Sequence, residues 1–260
     1  DALERSRRKT CARNTRTTRK SERCAAQFFD VARNAWGSHH NGVEIHVLPS
    51  GPIQTIGYLL TEPKLGEAVL IDAPGDILAK IKPLLARQSC VLKELWLTHG
   101  HWDHTQESAL VKRELGVRVL AHQADQPLIE TPEVMDGFMG ARLGLEPVKV
   151  DRWIAQGDYL KALGDDFEVR HVPGHCPGNV LFYSRAAKTA WVGDSLFKDG
   201  VGRWDFPGGS YDLLAKSIRD QIYTLPDETL IYPGHGPETT VGSEKRNNPY
   251  VSLEELRCFQ

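Results

Sequence analysis

The sequence predicts an α/β sandwich, two sheet-plus-helix halves packed together with helices outside and polar loops along one edge. Three observations carry that expectation. Strand-like segments precede a strand–helix alternation, and the same succession returns in the second half of the chain. Histidine and aspartate recur beside glycine directly after apolar strand-like runs. No heptad pattern, long repeat or low-complexity linker interrupts the body of the chain.

In chain order, "VEIHVL" and "IQTIGYLL" read as strands around a Ser-Gly-Pro turn, and "AVLID" as a third. "DILAKIKPLLARQ" has helical apolar spacing at Ile77, Leu78, Ile81, Leu84 and Leu85. Pro83 is expected to bend that helix or to stand near its first turns. "LKELWLT" is a short apolar run ending at a histidine cluster. "ESALVKRELG" is a helix closed by Gly116, and "VRVLAH" is another strand. Residues 123–150 hold Pro127, Pro132 and Pro147, with Met135, Phe138, Met139 and Leu143 between them, and read as short helices covering one side. "FEVRHV", "NVLFYS" and "TAWVGD" resume the strand rhythm before a glycine-rich loop. "YDLLAKSIRDQIYTL" is the best helix, with Leu213, Leu214, Ile218 and Ile222 expected along one face. "ETLIYPGHG" is a last strand running into a loop.

Composition narrows the function classes. The chain has 260 residues, 40% hydrophobic and 25% charged, which is ordinary for a soluble globular protein. No apolar run approaches the roughly 20 residues a membrane helix needs, so no membrane partner is expected. Cys11, Cys24, Cys90, Cys176 and Cys258 lack paired spacing, which argues for a reducing, cytoplasmic setting. Residues 1–24 carry nine basic and three acidic side chains, whereas the remainder is acidic on balance. That acidic body offers no nucleic-acid groove. Residues 1–26 are too polar to pack a core and read as a disordered basic extension, with organelle targeting the sharper alternative. Residues 27–260 form the expected folded domain.

The chemistry lies in "THGHWDH" at 98–104, "VPGHCPG" at 172–178, "WVGDS" at 191–195 and "YPGHG" at 232–236. The candidate ligands are His99, His101, Asp103, His104, His175, Asp194 and His235. Imidazoles and carboxylates without cysteine suit zinc, iron or manganese. Seven ligands exceed one tetrahedral site and fit two divalent ions about 3.5–4 Å apart around a shared carboxylate. Other histidines carry no such signal. His46, His122 and His171 read as surface or hydrogen-bonded core residues, and His39 with His40 as a surface pair.

These motifs resemble the metallo-β-lactamase-fold hydrolases, whose signature is T-H-x-H-x-D-H followed by separate His, Asp and His ligands. The resemblance spans Val43 to Val251. "GDSLFKDGVGRWDFPGG" and "YPGHGPETTVGSEKRNNP" are similar to the short, single-domain glyoxalase II-like group. It implies a four-layer αβ/βα sandwich with the metal site at one edge of the two sheets. It further implies His99, His101 and His175 on one metal, Asp103, His104 and His235 on the other, and Asp194 bridging. Asp72 matches a ligand-orienting position of the family, or is simply a turn residue ending its strand.

The implied reaction is hydrolysis of a small thioester such as S-lactoylglutathione by a metal-bridging hydroxide, with Asp103 both ligating and orienting it. A thiolate leaves without an acid's help, because free thiols ionise near about 8.5. Arg203 and Arg246 are candidate substrate-binding residues, each with a plain alternative, a salt bridge to Asp205 and a surface helix cap. Cys176 reads as a small packing residue. The resemblance to the short group carries the expectation that the helical domain with which longer glyoxalase II enzymes hold glutathione is missing here. Two other readings share the motifs. One is a persulfide dioxygenase using His99, His175 and Asp194 around a single Fe(II). The other is a lactonase or phosphodiesterase.

Overall fold

Alternating side chains decide the layering. In the strand Thr55–Glu62, Leu59 joins one apolar cluster while its neighbours Tyr58 and Leu60 join another. The same split separates Leu70 from Val69 and Ile71, and Leu95 from Trp96. A strand buried on both faces needs cover on both. The computed structural model describes residues 42–252 and supplies that cover from opposite sides. The expected basic extension at 1–26, the His39–His40 pair, Cys11, Cys24 and Cys258 lie outside the described residues.

The first sheet follows chain order: β1 (Glu44–Ser50), β2 (Thr55–Glu62), β3 (Glu67–Ile71), β4 (Val91–Trp96), β5 (Arg118–His122) and β6 (Arg152–Ile154). β1, β2 and β3 pair antiparallel, and β3 to β6 run parallel. Its outer face is covered by α1 (Ile77–Gln88) and α3 (Ser108–Leu115), with α2 (Trp102–Thr105) between β4 and α3. Ile77, Ile81 and Val111 pack there against Leu59, Leu70, Leu95 and Val119.

The second sheet comprises β7 (Tyr159–Ala162), β8 (Asp165–His171), β9 (Val180–Ser184), β10 (Thr189–Gly193), β13 (Leu230–Pro233) and β14 (Thr239–Thr240). Its spatial order is β14-β13-β10-β9-β8-β7, with only β10 and β13 parallel. A small hairpin, β11 (Leu196–Phe197) and β12 (Gly200–Val201), follows β10. Between the sheets Trp96 meets Phe167 and Phe182 at ring distances of 5.0 and 5.2 Å. On the outer face of the second sheet, α6 (Tyr211–Ser217) and the turn after it press Leu214, Ile218 and Ile222 onto Leu181, Ala190 and Val192. The chain is thus a four-layer αβ/βα sandwich.

Several elements differ from expectation. Pro83 lies inside α1, neither at its first turn nor ending it. The expected long helix from Tyr211 is α6 followed by a wider π turn over Ile218–Ile222. Leu213 is exposed, because one step round a helix is about 100° from Leu214. The cover over 123–150 is helical only in its first half. A 3-10 turn at Gln123–Asp125, α4 (Gln126–Glu130) and α5 (Val134–Met139) give way to irregular chain at Gly140 and Gly144, both with φ of +65°. β6, β7, β11, β12, β14 and the closing α7 (Val241–Asn247) were not expected. Runs of two to four residues are too short for a readable period.

Candidate metal centre

Strand direction delivers the site. β3, β4, β8, β10 and β13 all run toward the same edge, and each is followed by residues of one motif. Asp72 follows β3, His99 follows β4, His175 follows β8, Asp194 follows β10 and His235 follows β13. His101 precedes the first turn of α2, which then presents Asp103 and His104.

The seven candidate ligands converge. His99, His101 and His175 form one group, Asp103, His104 and His235 a second, and His99, His104 and Asp194 a third, with ligand atoms within 4.8 Å in each. Asp194 therefore stands between the first two. Its Oδ1 lies 3.2 Å from His104 Nε2, and its Oδ2 3.5 Å from His235 Nε2 and 3.8 Å from His175 Nε2.

The outer ring nitrogens are already engaged, and this fixes what the inner ones present. His104 Nδ1 donates to Asp72 Oδ2 at 2.7 Å, and His175 Nδ1 to the Arg203 carbonyl at 2.7 Å. His99 Nδ1 faces the Thr98 hydroxyl at 3.1 Å, and that hydroxyl donates to Asp72. Each ring therefore turns its Nε2 inward, the atom left to bind a cation. His175 Nε2 then faces His99 Nε2 at 3.2 Å and His101 Nδ1 at 2.9 Å. His104 Nε2 and Asp194 Oδ1 are buried without a hydrogen-bond partner.

Lone pairs and carboxylates turned on one another call for a cation. Burial, then the neighbouring imidazoles, push the pKa of His99 well down; burial and His175 push that of His101 down to about 3. Those rings are neutral donors, the form that binds metal. Burial opposes charge on His104 and His235, yet the carboxylates of Asp103 and Asp194 outweigh it, raising His235 to about 9 and holding His104 well above the usual histidine value. The pocket thus stabilises positive charge, and this donor set fits divalent metal. Close approach requires Gly234: a Cβ there would collide with Asp194 Oδ1 and lie 2.6 Å from His104 Cε1.

Thr55 donates to Asp103 Oδ2 at 2.6 Å and aims that carboxylate at His235 Nε2, 3.2 Å away. Cys176 is fully buried, with its sulfur 3.1 Å from both oxygens of Asp125, and burial raises its pKa well above the usual range. It is packed away from the ligand atoms. Phe206 lies 5.3 Å from the His101 ring and Phe197 6.1 Å from that of His235, so an aromatic ring flanks each group.

The two arginines stand apart from the convergence. The Arg203 guanidinium is exposed, pairs with Asp205 at 2.9 and 3.0 Å, and lies over the Phe206 ring at 4.1 Å. Arg246, on α7, lies 3.9 Å from Asp227. His46 bonds Thr61, while His122 and His171 stack 4.1 Å apart. Thr55, Asp125, Phe197 and Phe206 escaped the sequence reading, since nothing in their local pattern marks them.

Residues 52–235 match the metallo-beta-lactamase superfamily. The chain is 39% identical over 191 residues to a hydroxyacylglutathione hydrolase GloC of Haemophilus influenzae, covering 71% of this chain and 87% of that protein. Among solved structures it is similar to the BLEG-1 B3 metallo-beta-lactamase, with a TM-score of 0.73 and 33% identity over 80% of this chain and 99% of that one. It is similar also to TTHA1623 in a di-iron-bound form, with a TM-score of 0.69 and 36% identity over 79% and 99%. Converging strand ends, a histidine–aspartate cluster built for cations and these likenesses lead to one statement: the chain belongs to the metallo-beta-lactamase superfamily, as a metallo-hydrolase.

Proposed function

We propose that this protein hydrolyses small thioesters such as S-lactoylglutathione with a pair of divalent metal ions. The observation that carries the reading is the pair of three-residue groups joined by Asp194. The likeness to a hydroxyacylglutathione hydrolase supports the substrate class.

His99, His101 and His175 would hold one ion, Asp103, His104 and His235 the other, and Asp194 would bridge. Zinc, iron and manganese all suit these donors. Bound ions supply Lewis acidity toward water and toward a carbonyl. Asp103, fixed by Thr55, orients the attacking water. The thiol of Cys176 is engaged with Asp125, so no protein nucleophile is invoked. A leaving thiolate needs no proton from the chain, since thiols ionise near about 8.5. Arg203, on the aromatic rim, is the better placed arginine for a substrate carboxylate, reached by exchanging Asp205 for it.

Metal analysis joined to a thioester panel tests the reading. Two ions per chain, thiol release from S-lactoylglutathione, and its loss in His101→Ala with ligand binding retained are expected. One iron per chain with oxygen uptake on glutathione persulfide would overturn it in favour of a dioxygenase.

A further inference from the structure

His99 and His101 stand on one loop and His175 on another, and neither loop's own sequence sets the distance between them. Asp125, in the turn after β5, spans that gap. It is fully buried and gives one oxygen to each loop. Oδ2 accepts from the Gly100 N–H at 2.8 Å, and Oδ1 from the Gly178 N–H at 2.6 Å. The Cys176 thiol, next to His175, donates into the same carboxylate. Gly100 separates His99 from His101, so the bond holds the peptide from which both imidazoles spring.

The fit depends on the absence of side chains. A Cβ on Gly178 would lie 2.5 Å from Asp125 Cγ, and one on Gly100 2.8 Å from Leu128 Cβ and 3.0 Å from Asp125 Cβ. Asp72 performs the corresponding task two residues earlier, accepting from Thr98 N at 2.7 Å. The His99–His101 segment is therefore held by a carboxylate on either side, of which only Asp125 reaches across to the His175 loop.

We propose that Asp125 is a positioning residue of the metal centre, tying the two loops so that His99, His101 and His175 meet at one ion. Its hydrogen bonds go to Gly100, Cys176 and Gly178, none to the Asp103–His104–His235 group. The inference rests on the metal-centre reading and not on the thioester assignment. Asparagine cannot replace it, because its amide offers one acceptor and turns a donor toward the second N–H.

Zinc titration of the full chain after chelator stripping tests this, with a competing chelator to read affinity. The wild type takes up two equivalents. In Asp125→Asn one equivalent weakens about tenfold to a hundredfold, the range for groups that orient ligands, and the other is unchanged. In a His235→Ala background Asp125→Asn produces its full loss, and in a His101→Ala background it adds nothing. A merely structural role would weaken both equivalents in step with the melting temperature of the metal-free protein. That result, or wild-type affinity at both, overturns the proposal. Should Asp125→Asn not fold, amide exchange of the wild type decides: Gly100 and Gly178 N–H stay protected with and without zinc. Rapid exchange of either in the folded, metal-free chain overturns it.

Discussion

Asp72 Oδ2 accepts hydrogen bonds from both His104 Nδ1 and the Thr98 hydroxyl, each at 2.7 Å, while Asp72 Oδ1 takes the Thr98 N–H. One carboxylate thus sets the tautomer of a ligand and the position of the loop that carries His99. The backbone of Asp72 has φ of +60°, a conformation that aspartate tolerates better than most residues.

Asp72→Ala should therefore act twice. Metal affinity should fall about tenfold to a hundredfold as His104 loses its orienting partner. Stability should fall by about 1–3 kcal/mol, because the Thr98 N–H is left buried and unpaired. Zinc titration and urea unfolding measure the two effects separately.

Gly234→Ala puts a methyl group against Asp194 and His104. Displacing two ligands should cut turnover by about a hundredfold, the scale of a misplacement near one ångström. Far-UV circular dichroism should stay unchanged, since β13 has already ended at Pro233. Near-normal turnover would contradict the tight cradle.

His122 yields a pH prediction away from the metal ligands. Burial first, then His171 stacked on it, lowers its pKa from 6.5 to about 4. The folded state then binds this proton more weakly than the unfolded state. Its contribution is fully present above about 6.5 and is lost as pH falls toward 4. His122→Phe keeps a ring for stacking and removes the titration. The melting temperature of the variant relative to wild type should rise as pH drops through that window, and parallel curves would contradict it.

Phe167→Ala removes a fully buried ring that joins Trp96 and Trp191 between the sheets, at 5.0 and 5.9 Å. A loss of about 3–5 kcal/mol in urea unfolding is expected. Zinc affinity measured below the transition should be preserved, because the ring lies in the core and outside the ligand groups.

Much of this was legible because strands and ligands leave strong local marks. "IQTIGYLL", "AVLID" and "NVLFYS" are short apolar runs bounded by turn residues, which marked them as strands. Thr98–His104 and the two P-G-H turns announced a metal because burying so many imidazoles without one is costly. Edge strands such as β7 and β14 lacked the length to show a period. The π turn after Ser217 left no mark that helix spacing would betray.

The sequence by itself determined the sandwich class and set the candidate donors after strand ends, since hydrophobic period and ligand chemistry are local properties. Only the tertiary structure decided which nitrogen of the His104 and His175 rings faces inward and which loop Asp125 joins to which. Those are relations between residues far apart in the chain, set by how two sheets bring their edges together, and no local pattern encodes them.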